Sequence, residues 1–335
     1  MTRKLKEHPE YPFSEENLEA TVREMERFLS APPLSTLERG EVLEFVRLTR
    51  QYAFLERLIQ GEILFELPVH LDLGEASVEA LAAPERELLG LGAVPGGELI
   101  DALDEKGIKV FRRSRGPESP DTVTGGFFYA GEFGPALLAS AATRGESIFA
   151  VAHAYGHLVM DINPYVSRFC RWRHSDLENL SLSHEEDRAD RFARALLIPE
   201  PLVKALAADV ALEAVEGARD EMIYRAAKAC DVAPAVLWRR FGDLKLPRSA
   251  TAPKARPLPK KRKVDERRAT DLPERFVNLA LAAYGERLFG KPDLARFLRL
   301  PPRRLVRFLK WCPIPRARRA EEAEDEDVAQ GEESA

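Results

Sequence analysis

Apolar residues recur every three to four positions early in this chain, at Leu18, Val22, Met25 and Leu29 and again at Leu43, Val46, Leu48, Tyr52 and Leu55. That period buries one face of an α-helix, so residues 14–66 are expected to be helical. Residues 74–106 keep the rhythm until Pro95-Gly-Gly interrupts it. The pattern then changes. Ile108-Lys-Val-Phe111, Gly126-Phe-Phe-Tyr129 and Ala136-Leu-Leu-Ala139 are short apolar runs bounded by Gly or Pro, and they read as strands. Thr143-Arg-Gly-Glu146 has the spacing of a capping box and opens a helix carrying Ile148, Phe149, Ala152, His153 and His157. A loop containing Pro164 separates it from a second helix, about Glu185 to Leu197, stopped by Pro199. Further helices fit 201–211, 218–229 and 233–241, and a domain closes near Leu246. The expected fold class is α+β, mostly helical with a small sheet.

Beyond that point burial gives way to charge. Pro247, Pro253, Pro257 and Pro259 fall among basic residues, so 247–270 reads as a linker. Helical periodicity returns over 271–311, and the tail from 313 to 335 is expected to be disordered. The domain expectation is therefore a helical region 1–95, a mixed domain 96–246, the linker 247–270, a basic helical module 271–312 and an acidic tail 313–335. The net charge of -5 conceals this segregation: residues 248–319 hold 21 Lys/Arg against 6 Asp/Glu, while the last sixteen hold 8 acidic groups and no basic one. A polyanion is thus a candidate partner for one end of the chain only. No apolar run reaches the length of a membrane span and no secretory signal is present, so the expected location is the cytoplasm. Cys170, Cys230 and Cys312 are odd in number and widely spaced, which suggests neither a disulfide framework nor a Cys-x-x-Cys metal site.

His153 and His157 stand four apart within a predicted helix, one turn apart on one face. Two imidazoles can then converge on one tetrahedral Zn²⁺, at about 2.0–2.1 Å per nitrogen. Two histidines merely packed in a helix are the ordinary alternative. In the His-Glu-x-x-His pattern the residue after the first histidine is the general base that activates water against a peptide carbonyl. Here the segment is His153-Ala-Tyr-Gly-His157, and the methyl group of Ala154 cannot accept a proton.

Ile148-Phe-Ala-Val-Ala-His-Ala-Tyr-Gly-His-Leu158 resembles the metal-binding helix of the ImmA/IrrE family of bacterial metallopeptidases, apart from the alanine. Glu186-Asp-Arg-Ala-Asp-Arg-Phe-Ala-Arg-Ala-Leu-Leu-Ile-Pro199 resembles that family's second signature, in which a Glu three residues before Ala is the third zinc ligand. The expected strands from Gly126 to Ser140 and the segment Ala226 to Trp238 are similar to its strand pair and closing helices. The resemblance covers roughly 96–246 and implies a zincin-like peptidase domain with the small sheet packed on the metal-binding helices. It implies Glu186 as third ligand, with adjacent Glu185 as its rival, and Asp190 one turn on as a residue that orients a ligand from behind. His174 and His184, in the intervening stretch, read as surface histidines.

A single missing carboxylate among intact partners favours an engineered inactive variant over a natural pseudopeptidase. At the basic end, Leu294 to Leu309 has the rhythm of a helix-turn-helix: Leu294, Phe297, Leu298, Leu305 and Phe308 inward, Arg303, Arg304, Arg307 and Lys310 outward toward phosphates. Lys260, Lys261, Arg262 and Lys263 add a basic run that spells a nuclear-import signal and reads instead as a phosphate-seeking linker. The leading expectation is a zinc endopeptidase whose family suggests a helix-turn-helix transcriptional repressor as substrate, in a stress, phage or mobile-element response, with nucleic acid as regulator. The alternatives are a non-catalytic DNA-binding regulator or scaffold, and a toxin or small-peptide hydrolase.

Overall fold

A computed structural model of the chain describes residues 36–67, 78–92, 98–114, 123–130, 132–141, 143–161, 168–173, 184–212, 216–246 and 272–312. These residues form eleven helices and a four-stranded mixed sheet, an α+β arrangement dominated by helix. In chain order they are α1 (Thr36–Gln60), α2 (Val78–Leu88), α3 (Leu99–Glu105), β1 (Lys109–Ser114), β2 (Val123–Ala130), β3 (Gly134–Ala141), α4 (Arg144–Met160), β4 (Arg168–Arg173), α5 (His184–Leu197), α6 (Glu200–Leu212), α7 (Glu216–Ala229), α8 (Pro234–Asp243), α9 (Glu274–Gly285), α10 (Lys291–Phe297) and α11 (Pro302–Leu309). None of the described helices is long and apolar enough to cross a membrane.

The sheet runs in the order β1-β3-β2-β4. β1 pairs with β3 in parallel, whereas β2 is antiparallel to both β3 and β4. β3 is buried along its whole length, as its small and apolar Gly-Pro-Ala-Leu-Leu-Ala-Ser-Ala sequence permits. α4 packs on it, and from Ser147 to Met160 every residue of that helix is buried. The first turn of the helix is less sheltered, and there the capping box expected from the sequence satisfies two backbone donors. Glu146 N–H donates to Thr143 Oγ1 at 3.2 Å, and Thr143 N–H donates to Glu146 Oε2 at 3.2 Å. One core joins Leu99 and Leu103, Leu137 and Ala139, Ile148 and Val151, Phe192 and Leu196, and Leu237 and Phe241.

Three expectations need correction. β4 was expected to be loop; it pairs with β2 through Phe128↔Phe169 and Phe127↔Cys170. Residues 61–66 were expected to be helical, but α1 ends at Gln60 and Gly61 takes φ +83, where a β-carbon is costly. The 74–106 helix divides well before Pro95, because α2 stops at Leu88 and Gly90 turns the chain at φ +61. Residues 14–35, the linker with Lys260, Lys261, Arg262 and Lys263, His174 and the acidic tail lie outside the described residues.

The described chain divides into two compact units, and the division falls inside α1, after Arg50. In the larger, Phe45 of α1 meets Phe111 of β1 edge to face at 5.9 Å. The smaller joins Gln51–Glu62 to residues 272–312. There Tyr52 packs on Phe276 at 5.4 Å, and Phe297 stacks on both Phe54 and Phe289. Arg275 pairs with the buried carboxylate of Glu56 at 3.0 Å and lies over the Tyr52 ring. Removing Arg275 would take this guanidinium from a fully buried carboxylate, a costly change.

Candidate metal centre

Two helices of the larger unit build the site, and a glycine sets their separation. A β-carbon on Gly156 of α4 would lie 3.0 Å from Phe192 Cδ1 and 3.4 Å from the Ala189 backbone of α5. The helices therefore approach closely enough for short side chains to meet. Residues spaced by four present one stripe on each: His153 and His157 from α4, Glu186 and Asp190 from α5.

The donor atoms converge. His153 Nε2 lies 3.1 Å from His157 Nε2 and 3.1 Å from Glu186 Oε2, and His157 Nε2 lies 3.4 Å from Glu186 Oε1. Ligand atoms on a tetrahedral ion with bonds near 2.0–2.1 Å sit roughly 3.3 Å apart. The opposite edge of each ring is also engaged. His153 Nδ1–H donates to Asp190 Oδ1 at 2.8 Å, and His157 Nδ1–H donates to Asp161 Oδ2 at 2.6 Å. With its proton committed to Nδ1, each ring can offer the Nε2 lone pair to a cation, a metal taking the place of any second proton there. Two lone pairs and a carboxylate pointed at one another repel unless a positive charge lies between them. The donor set fits a divalent cation on that ground, and these three residues alone could hold a metal ion among the described residues.

Electrostatics agree. Burial works to lower the basicity of His157, but hydrogen bonds to Asp161 and Glu186 and their negative charges outweigh it, so the ring is pushed up to about 9. Burial works to raise the Glu186 carboxyl, and the hydrogen bonds and charges of the two histidines overcome it, so the group is held well below the usual carboxylate range. Behind the ligands stand arginines. Arg188 binds Asp161, and Arg194 lies 3.5 Å from Asp190 while bonding Asp243 at 2.7 Å. Each ring is thus backed by a carboxylate, and each carboxylate by a guanidinium.

Exposure separates the members. His153 and His157 are 1% and 2% exposed, whereas the Glu186 side chain is 19% exposed and gives the cluster its contact with solvent. The rival Glu185 and His184 are both exposed and lie outside the cluster. Ala154 is fully buried and belongs to the apolar core. Tyr155 turns the other way, donating from its hydroxyl to Glu85 of α2 at 2.5 Å. Burial first, and then that carboxylate, push its phenol well above the usual range.

Asp161 is the site residue the sequence reading missed. Its signal was present, since it follows His157 by the same four residues that relate the two histidines. The basic candidates lie elsewhere, in the smaller unit: Arg303, Arg304, Arg307 and Lys310 are exposed on and just after α11. Leu294, Phe297, Leu298 and Leu305 are buried as expected, but Phe308 is only half-buried. No protein-family model matches the chain, and no curated protein matches it.

Proposed function

We propose that the larger unit is a zincin-like metallopeptidase domain of the ImmA/IrrE type, holding Zn²⁺ between His153, His157 and Glu186, and that in this chain it engages a protein partner without cutting it. The convergence of two imidazole lone pairs and one carboxylate, with both rings fixed from behind, carries the reading. Zinc bound there would supply Lewis acidity, polarising a carbonyl and acidifying water. Among the described residues three donors converge, the number of protein ligands typical of a catalytic rather than a structural zinc site. Asp190 and Asp161 hold the imidazoles in the tautomer a ligand needs. Glu186 adds the negative charge. At position 154, where the resemblance places the general base, the chain offers only a methyl group. General bases contribute about 10²–10⁴-fold, so turnover by this chain should be very slow. The motifs favour a helix-turn-helix repressor or similar regulatory protein as partner. The basic face of the smaller unit favours nucleic acid as regulator.

Two readings of Ala154 follow. The complete ligand set supports an engineered loss of the base from an active endopeptidase. The burial of Ala154 in an apolar core supports a native pseudopeptidase acting as a DNA-binding regulator or scaffold, since a buried carboxylate there would need a compensating partner. The test is Ala154→Glu. On the first reading it cleaves a repressor encoded beside it and chelators stop it; a folded Ala154→Glu protein that binds metal but cleaves none of them would support the second.

A further inference from the structure

α11 buries one line of side chains and exposes the rest. Leu305 is its one fully buried residue. Opposite it, at about 100° per residue, the order around the helix is Val306, Lys310, Arg303, Arg307, Trp311 and Arg304. All six are exposed, Trp311 at 75% and Val306 at 52%. Trp311 comes just after the C-cap Lys310, and its N–H bonds to Phe308 O at 3.0 Å, so the helical turn carries on to it. Arg307 lies one turn before it and Arg304 two turns before it, about 10 Å along the axis. An exposed indole on the same helical face as three arginines is an unusual thing to leave in water. Large apolar surface is normally buried, and exposed aromatic groups at such density of charge mark binding surfaces.

The chemistry selects one kind of partner. The cations match phosphates, and residues 272–312 as a whole hold nine Lys/Arg against three Asp/Glu. A tryptophan face offers no pattern of donors and acceptors for reading base edges, but any unstacked base can lie against it. In a duplex the bases are already stacked on one another, so the ring would find nothing to cover it. We propose that this face of α11 binds single-stranded nucleic acid, with Trp311 stacking on a base and Arg303, Arg304, Arg307 and Lys310 holding the flanking phosphates. This rests on the proposal that the smaller unit binds nucleic acid, and it adds the class of nucleic acid and the residue that selects it.

The test uses the full chain and its Trp311→Ala, Trp311→Phe and Arg303→Ala/Arg307→Ala variants. The probes are a labelled single strand of about 15 nucleotides, near the upper site size of such surfaces, and the matching duplex. Trp311→Ala should weaken single-strand binding about tenfold and leave duplex binding within about twofold, while Trp311→Phe restores most of the loss. The paired arginine variant should weaken both probes. Unchanged single-strand affinity in Trp311→Ala, or equal losses on both probes, would overturn the stacking role while leaving phosphate binding intact. Poly-glutamate bound as tightly as the single strand would also overturn it, leaving a general polyanion surface. If neither probe binds the full chain, the nucleic-acid reading falls and the stacking role with it.

Discussion

At Asp161 a single carboxylate decides how His157 presents itself. It accepts the Nδ1 proton at 2.6 Å and is itself held by Arg188, so the ring can neither rotate nor change tautomer without losing a buried hydrogen bond. Asp161→Ala should lower metal affinity about 10- to 100-fold while leaving the fold in place, as removal of such partners typically does. Competitive titration against a chelator would measure it, and an unchanged affinity would refute the role. The same contacts give the chelator-treated protein a characteristic pH response. His157 is raised to about 9 in the folded chain from an ordinary value near 6.5. Its protonated form therefore adds stability that is complete below about pH 6.5 and is lost as pH rises toward 9. Glu186 acts in the opposite sense, because its carboxyl is depressed, and its contribution disappears as pH falls below the usual carboxylate range. Thermal melts of chelated protein should peak between these limits and decline by pH 9. Zinc should remove the alkaline decline, since the metal replaces the proton as the positive charge.

Among the helices and strands, the close approach of α4 and α5 is what turns two ordinary helices into a site. Gly156→Val should push Phe192 and the Ala189 backbone away, cost about 1–3 kcal/mol as overpacking does, and weaken metal binding by parting Glu186 from the histidines. Normal metal affinity in a folded Gly156→Val protein would show that the spacing is not critical. This glycine was visible in the sequence only as part of a motif. Helix α4 itself was legible from Thr143 and Glu146, because a capping box is local chemistry. β4 was not legible, since Arg-Phe-Cys-Arg-Trp-Arg has no strand rhythm and its pairing with β2 is decided by tertiary structure. The end of α7 at Ala229 was read correctly and that of α8 to within two residues, although no glycine marks either stop. Asp231, Lys245, Arg287 and Arg299 take positive φ where glycine usually signals the stop. In each case the following backbone N–H closes the turn onto the helix, as Leu246 N–H does onto Phe241 O.

Over the whole molecule, the two units draw on different parts of the sequence. The sequence reading grouped residues 1–95 together, but Gln51–Glu62 packs with residues 272–312 through Tyr52, Phe54 and Glu56. Nothing local to those residues could announce partners more than two hundred positions away. The charge segregation was legible because it is a sum over residues, and so was the histidine pair because its spacing is a helical turn. The larger unit depends on one claim above all, that His153, His157 and Glu186 together hold a metal ion. Metal analysis of the purified full chain beside its His153→Ala and Glu186→Ala variants tests it most directly. The ligand set predicts about one zinc per chain in the unaltered protein and little in either variant. Equal zinc in all three, or none in a folded unaltered chain supplied with zinc, would contradict it.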